Sequence, residues 1–469
     1  VRPAPDARLP DGFAVVLDPR TRHRDDGGTL LGGSPLRLLR LTPRARALLV
    51  EGGLTVRDRT TGTLAARLLD SGLAHPRPTP VVPADVTVVV PVKDRAAELD
   101  RLLAALRADP ETADLPVTVV DDGSADPAGL AAVSARHRAD VLRHDTSRGP
   151  SAARNAGLRA ARTGAVAFLD SDCVPRPGWL GVLAAHLADP RLALVAPRIS
   201  ALPGERPGWV TGYEDAVSAL DMGDHPAAVA PLTGVSYVPS AALLARREAL
   251  GDGFDESMQV AEDVDLVWRL AAAGWRVRYE PAARVAHEHP ARTGEWLRRR
   301  AFYGTGAALL AQRHGSAVAP VVMSPWSAAA WALVLLGGRA GALAAAGVLA
   351  VATRGLARRL GDPPPTGLAA TLVVRGSFAA GRTLARSVTR HHWPLAVPLL
   401  GSRRARRLVL LAATVDAVGA WWPHRQRVGL LRFAAARRLE DLAYGVGLWR
   451  GAWRARDVRA LLPARPPRG

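Results

Sequence analysis

Cysteine is nearly absent from these 469 residues: Cys173 stands alone. That excludes an intrachain disulfide and fits a reducing compartment. No histidine lies near Cys173 in the sequence to activate it, so it reads as a small buried residue rather than a nucleophile. Lysine is equally scarce. Lys93 is the sole one, so 61 of the 62 basic residues are arginine. With abundant alanine, glycine and proline, this is the mark of a GC-rich genome, and no nucleic-acid partner is expected from it. No apolar run of signal-peptide type opens the chain, so none is expected. Acids are lacking in one region only. Residues 301–469 hold 5 acids against 24 arginines, whereas residues 1–300 hold 38 of each, so the last third supplies the whole formal charge of +19.

What is present divides into four segments. Residues 1–75 read as a small unit: two short strands around Asp18-Pro19, a helix entered at Thr42 with Pro43 in its first turn, and a second helix in TTGTLAARLLDSG. The hairpin-then-helices order resembles small winged-helix peptide-binding modules; the alternative is a structural cap. A proline-rich linker, PRPTPVVPAD, covers residues 76–85. Residues 86–313 alternate strand and helix. VTVVVPV, PVTVVDD, ADVLRHD and GAVAFLDSD are strands, and AAELDRLLAALRA, GLAAVSARHR and GPSAARNAGLRAART are the helices between them. This order predicts an α/β domain with a mostly parallel, Rossmann-like sheet. Ligands of such sheets bind beyond the carboxyl ends of the strands, where Lys93, Asp94, Asp121, Asp122, Asp170 and Asp172 fall. Residues 314–469 are apolar and arginine-rich. A stretch of 25 residues, His314 to Gly338, has no acid or arginine, long enough to span a bilayer. A shorter apolar run covers Leu408 to Pro423. The expected arrangement is α-helical and partly membrane-associated, held on lipid at the cytoplasmic face of the cell membrane.

Three acidic clusters end buried strands or open a helix. Asp121 and Asp122 either cap the next helix or accept hydrogen bonds from a nucleoside. Asp170 and Asp172 flank one spot, where two carboxylates repel unless a cation neutralises them. A divalent metal, Mn²⁺ or Mg²⁺, bridging carboxylate to diphosphate meets that need, with Asp172 the first choice of ligand. Glu262 and Asp263 open an amphipathic helix, which leaves Asp263 at the cleft edge as a candidate general base. His287, in VAHEHP, is a candidate metal or phosphate contact. Of Arg298, Arg299 and Arg300, one can face a diphosphate, and at least one must face solvent. Three such clusters suggest metal-assisted transfer from a nucleotide diphosphate.

The ordered set VVVPVKDR, VVDDGS, GPSAARNAG, FLDSD, TGVSYVPS, GFDE, EDVDL and RRRAFYGTG closely resembles glycosyltransferase family 2, over about residues 85–305. The resemblance implies a GT-A fold and an inverting transfer from a UDP-sugar, with glucose the expected sugar. It implies that Asp122 reads the nucleobase, that Asp170 and Asp172 form the metal motif, with His287 as a further ligand, and that Asp263 is the catalytic base. Pro91, Lys93, Asp94, Asp121, Arg154, Asn155 and Asp170 would complete the donor site. Thr233, Gly234, Glu262, Arg299 and Arg300 would contact acceptor or diphosphate. Lys93 stands where many members carry an aromatic residue. The whole-chain layout resembles the mycofactocin-system glycosyltransferases, which implies a peptide-derived small-molecule acceptor bearing β-linked glucose. Two other readings compete: a cell-envelope transferase with a lipid-linked or polysaccharide acceptor, and a peptide-binding protein whose transferase domain is inactive.

Overall fold

A computed structural model describes residues 1–202, 208–290, 292–360 and 365–466, which form two compact units, Val1–Pro207 with Val217–His289 and Gly208–Ala216 with Pro290–Gly469.

The first unit begins with β1 (Ala14–Leu17), β2 (Arg22–Arg24), β3 (Thr29–Gly32), β4 (Arg37–Arg40), α1 (Pro43–Ala47), β5 (Gly53–Thr55), α2 (Arg59–Asp70) and β6 (Ala74–Pro76). Thr42 caps α1 as expected, its hydroxyl accepting from the Ala45 N–H at 3.2 Å, with Pro43 in the first turn. A capping box between Asp58 and Thr61 starts α2, satisfying N–H groups that the helix itself cannot. The segment holds two three-stranded sheets, β5-β1-β6 and β2-β3-β4, rather than a single hairpin. Strands of three or four residues are too short to show a period in the sequence. Leu30, Leu54, Val56, Leu68 and Leu73 form its core.

This segment lies in the same compact unit as the larger sheet and is joined to it by polar groups. Asp18 accepts from His75 at 2.9 Å, and the other ring nitrogen of His75 meets Arg278 at 2.7 Å. Asp70 accepts from Arg276 at 2.8 Å. Burial pushes His75 below its usual pKa and the Arg278 charge adds to that, so the ring is neutral at pH 7.

The transferase sheet follows with β7 (Val86–Val92), α3 (Ala96–Ala108), β8 (Val117–Asp122), α4 (Pro127–Arg136), β9 (Asp140–His144), α5 (Pro150–Ala160), β10 (Ala165–Leu169), β11 (Cys173–Pro175), α6 (Trp179–Ala185) and β12 (Leu192–Ala201). After α7 (Trp209–Val217), which lies mostly in the second unit, come β13 (Ala227–Ala228), β14 (Ala242–Arg246), α8 (Arg247–Leu250), α9 (Glu262–Ala272) and β15 (Arg276–His287). Strand order among the described residues is β11-β15-β12-β14-β10-β7-β8-β9, with β13 on β15. The four strands read from the sequence, β10, β7, β8 and β9, are mutually parallel as expected. The sheet as a whole is mixed, because β14 runs antiparallel to both β10 and β12. Val88, Val90, Val119, Ala167 and Leu244 are buried on it, which is why those strands carry continuous apolar runs.

The second unit is helical: α10 (Thr293–His314), α11 (Pro325–Leu360), α12 (Thr366–Arg390), α13 (Trp393–Leu399), α14 (Arg403–Trp421) and α15 (Leu430–Ala455). The uncharged stretch His314 to Gly338 is not one helix. Its first part is a 3-10 turn and a loop, and α11 breaks at Gly338, at φ 57° and ψ −139°, a conformation essentially confined to glycine. Among the described residues α11 is the one helix long and apolar enough to cross a membrane. Leu336, Leu343, Phe378, Leu410, Leu411 and Leu431 are exposed in this unit. Inside it, Arg437 is paired with Asp416 at 2.8 and 2.9 Å, and Arg390 with Asp441 at 3.0 Å.

Candidate active site

Two of the three acidic clusters meet through one arginine. Asp170 ends β10, where the chain turns into β11. Register pairs Cys173 with His287 at the end of β15, so Asp172 faces the imidazole, Oδ1 to Nε2 at 3.4 Å. Arg154, in the second turn of α5, is buried. It donates to Asp170 Oδ1 at 2.6 Å and to Glu262 Oε1 at 3.2 Å. Burial alone would lower its pKa, but Asp170 and Glu262 outweigh this and raise it. Arg95 binds Asp172. The guanidinium groups of Arg95 and Arg154 thus balance carboxylates that would otherwise repel one another.

Asp263 sits at the N-terminus of α9, just after Ala261 at φ 63°, and is half-buried. Its Oδ1 accepts from the Val264 N–H at 2.8 Å and its Oδ2 from the Ser240 N–H at 3.4 Å. Burial, then the neighbouring Glu262, pushes its pKa up to about 7 against the opposing N–H groups and the Arg154 charge. A carboxylate tuned there accepts a proton efficiently near neutral pH.

The first cluster plays a different part. Asp122 Oδ1 accepts from His144 at 2.8 Å and the Arg148 N–H at 2.9 Å; Oδ2 accepts from Ser147 at 2.7 Å and the Gly149 N–H at 2.8 Å. Each carboxylate oxygen thus accepts two hydrogen bonds from protein, and this buried group holds the 144–149 loop. Gly123, at φ 73°, allows the crossing: a Cβ there would lie 2.6 Å from the Ser147 N–H nitrogen. Asp121 is buried against Arg143 and the Ser124 N–H. Asp94 accepts from the Ala125 N–H at 2.7 Å and so ties the β7 and β8 tips together. Lys93 and Asp94 are exposed at the strand ends and Pro91 is half-buried behind them.

Other expected contacts also have protein partners. Asn155 clasps Phe254, accepting from its N–H at 2.9 Å and donating to its carbonyl at 2.8 Å, and is buried. It anchors the loop before Asp263. Arg154 is likewise buried, between Asp170 and Glu262. Arg300 lies in the second unit, buried against Glu214, so its charge is already matched; Arg299 is half-buried in the same helix. Thr233 and Gly234 lie in the loop that ends at Ser240, next to Asp263, with Gly234 exposed. Sequence reading missed Arg95 and the bridging role of Arg154. The signal was their placement, directly after a strand tip and one turn into a helix that faces the same edge.

No three His, Cys, Asp or Glu side chains converge closely enough to hold a metal by themselves, among the described residues. Asp172 and His287 do converge, and the buried His287 Nδ1 has no hydrogen-bond partner. One carboxylate and one imidazole, completed by phosphate oxygens, are donors that a divalent cation takes. Arg95, partly exposed, pairs with the same carboxylate.

Residues 87–254 match the family described as Glycosyl transferase family 2. Over 97% of this chain, and 98% of the relative, the sequence is 49% identical to the "Pre-mycofactocin glycosyltransferase" of Mycobacterium tuberculosis. The chain belongs to glycosyltransferase family 2. A shorter match, 36% identical over 22% of this chain and 31% of the relative, is to the "Succinoglycan biosynthesis protein ExoU" of Rhizobium meliloti. Among solved structures, the mannosyltransferase PcManGT from Pyrobaculum calidifontis, in complex with GDP-Man and Mn²⁺, aligns at 21% identity and TM-score 0.40, over 74% of this chain and 90% of that one. In this glycosyltransferase Asp170 and Glu262 share Arg154, and Asp172 pairs with Arg95.

Proposed function

We propose that this glycosyltransferase moves glucose from UDP-glucose, with inversion at the anomeric carbon, to a hydroxyl of pre-mycofactocin, and so builds a β-linked oligosaccharide on a peptide-derived cofactor. The observation that carries the reaction is Asp263, a carboxyl at a helix N-terminus with its pKa pushed up to about 7. The similarity along the full length of the M. tuberculosis relative supports the acceptor.

In this reading the uridine lies across the tips of β7 and β8, beside the exposed Lys93 and Asp94. Asp263 takes the proton of the acceptor hydroxyl as its oxygen forms the new bond to the anomeric carbon. The bond to UDP breaks on the opposite face. Asp172, His287 and Asp170 would hold a Mn²⁺ or Mg²⁺ ion, which neutralises charge developing on the diphosphate. Arg154 keeps Asp170 and Glu262 in place, and Asn155 keeps the loop before Asp263 in place. The second unit lies on anionic lipid at the cytoplasmic face through its exposed leucines and arginines.

The test is incubation of the purified chain with UDP-glucose, Mn²⁺ and a pre-mycofactocin acceptor. Mass spectrometry should show added hexose, and NMR a β linkage. An α linkage, or transfer only from another nucleotide sugar, contradicts the proposal.

A further inference from the structure

The tip of the β3–β4 hairpin reaches a loop that ends at the base. Ser34 Oγ accepts from the Gly234 N–H at 2.7 Å. Gly234 stands in a tight turn, where Leu232 adopts φ 62° and the Thr233 hydroxyl is bonded to the carbonyls of Ala230 at 2.8 Å and Val235 at 2.7 Å. Farther along the same loop, the Ser236 carbonyl accepts from Trp268 Nε1 at 2.7 Å, and Trp268 lies on the Asp263 helix. The loop ends at Ser240, whose N–H faces Asp263. One continuous segment, residues 230–240, therefore touches the N-terminal sheets at one end and the base at the other.

The hairpin is anchored by its own core side chains, Leu30 and Leu39, which are buried with Val15, Leu54 and Leu68. The chain Asp18–His75–Arg278 is buried throughout, and Asp70 fixes the end of α2 to Arg276. Ser34 and Gly234 are both exposed, so this hydrogen bond joins two surface turns.

We propose that Ser34 is a positioning residue for the acceptor: through Gly234 it sets the loop that forms the acceptor side of Asp263, so the N-terminal segment is one wall of the acceptor site. The inference rests on the reading that the acceptor hydroxyl is received at Asp263. Ser34 touches no reacting atom. Its loss therefore weakens acceptor binding and leaves the donor side alone.

The full chain and its Ser34→Ala and Ser34→Thr variants are compared by steady-state kinetics with UDP-glucose and the pre-mycofactocin acceptor, by hydrolysis of UDP-glucose without acceptor, and by thermal melting. Ser34→Ala should raise the acceptor KM about fivefold, the size of one lost hydrogen bond, with donor KM and hydrolysis unchanged. Ser34→Thr, which keeps the hydroxyl, should restore the acceptor KM. An unmoved acceptor KM, a donor KM that rises equally, or a threonine variant as weak as alanine overturns the inference. Should Ser34→Ala not fold, Ser34→Gly replaces it, and failure of both to fold counts against a role confined to the acceptor. A wild-type chain that glycosylates no acceptor contradicts the proposed function instead.

Discussion

Arg154 holds one carboxylate from each of two clusters that lie about ninety residues apart in the chain. Replacing it by methionine leaves Asp170 and Glu262 unmatched in a buried setting, a change that costs about 3–5 kcal/mol. It also removes a positive charge that lowers the Asp263 pKa. Urea unfolding of Arg154→Met should show the loss of stability, and the acid limb of its pH–rate profile should move to higher pH. A melting curve and a limb both like wild type contradict the bridge. Asp172→Asn should abolish turnover, because a weakened ligand loosens the cation on the diphosphate; near-normal activity with Mn²⁺ contradicts the metal assignment. The acids of this site were legible in the sequence, since each ends an apolar strand or opens an amphipathic helix. Their partners were not. That four protein donors meet Asp122 depends on where the 144–149 loop crosses, and no local pattern encodes that crossing.

At the scale of elements, Asp122 organises a loop and Gly338 ends a helix. Burial would raise the Asp122 pKa, but the N–H of Arg148 and the groups of His144, Ser147 and Gly149 outweigh it and lower the value. A depressed carboxylate pKa contributes stability above the ordinary carboxylate range, and that contribution is lost as pH falls through the folded value. Asp122→Ala should therefore cost about 3 kcal/mol at neutral pH and flatten the decline in melting temperature on acidification. An acid profile parallel to wild type would sink this role. Helix α3 and the start of α1 were read to within a residue or two, since capping signals and the 3.6-residue period are local properties, whereas α1 ends at Ala47, short of the Gly52-Gly53 stop expected for it. The antiparallel β14 was not read, because strand direction is a tertiary property. The uncharged stretch from His314 overstated one continuous helix, as hydropathy alone does not register a glycine break.

At the scale of the whole molecule, charge and apolar surface coincide. The last third carries the excess of arginine, and the second unit exposes many leucines. Inserted apolar groups resist salt, while each arginine near an anionic surface adds about 1 kcal/mol that salt removes. Full-length protein should pellet with membranes in 1 M salt and require detergent for release; release by salt alone, or recovery as a soluble monomer, contradicts insertion. The central claim, however, is that Asp263 is the base of the transfer, and its pH–rate profile tests that most directly. With wild type, kcat/KM for transfer should rise with pH through an apparent pKa near 7, because the base must be ionised. At one unit below that value the rate should be roughly a tenth of its plateau. Asp263→Asn, measured beside it, should bind UDP normally and transfer about 10²- to 10⁴-fold more slowly. A variant that loses UDP binding yet keeps substantial transfer, or a wild-type profile flat across pH 6–8, would contradict the account.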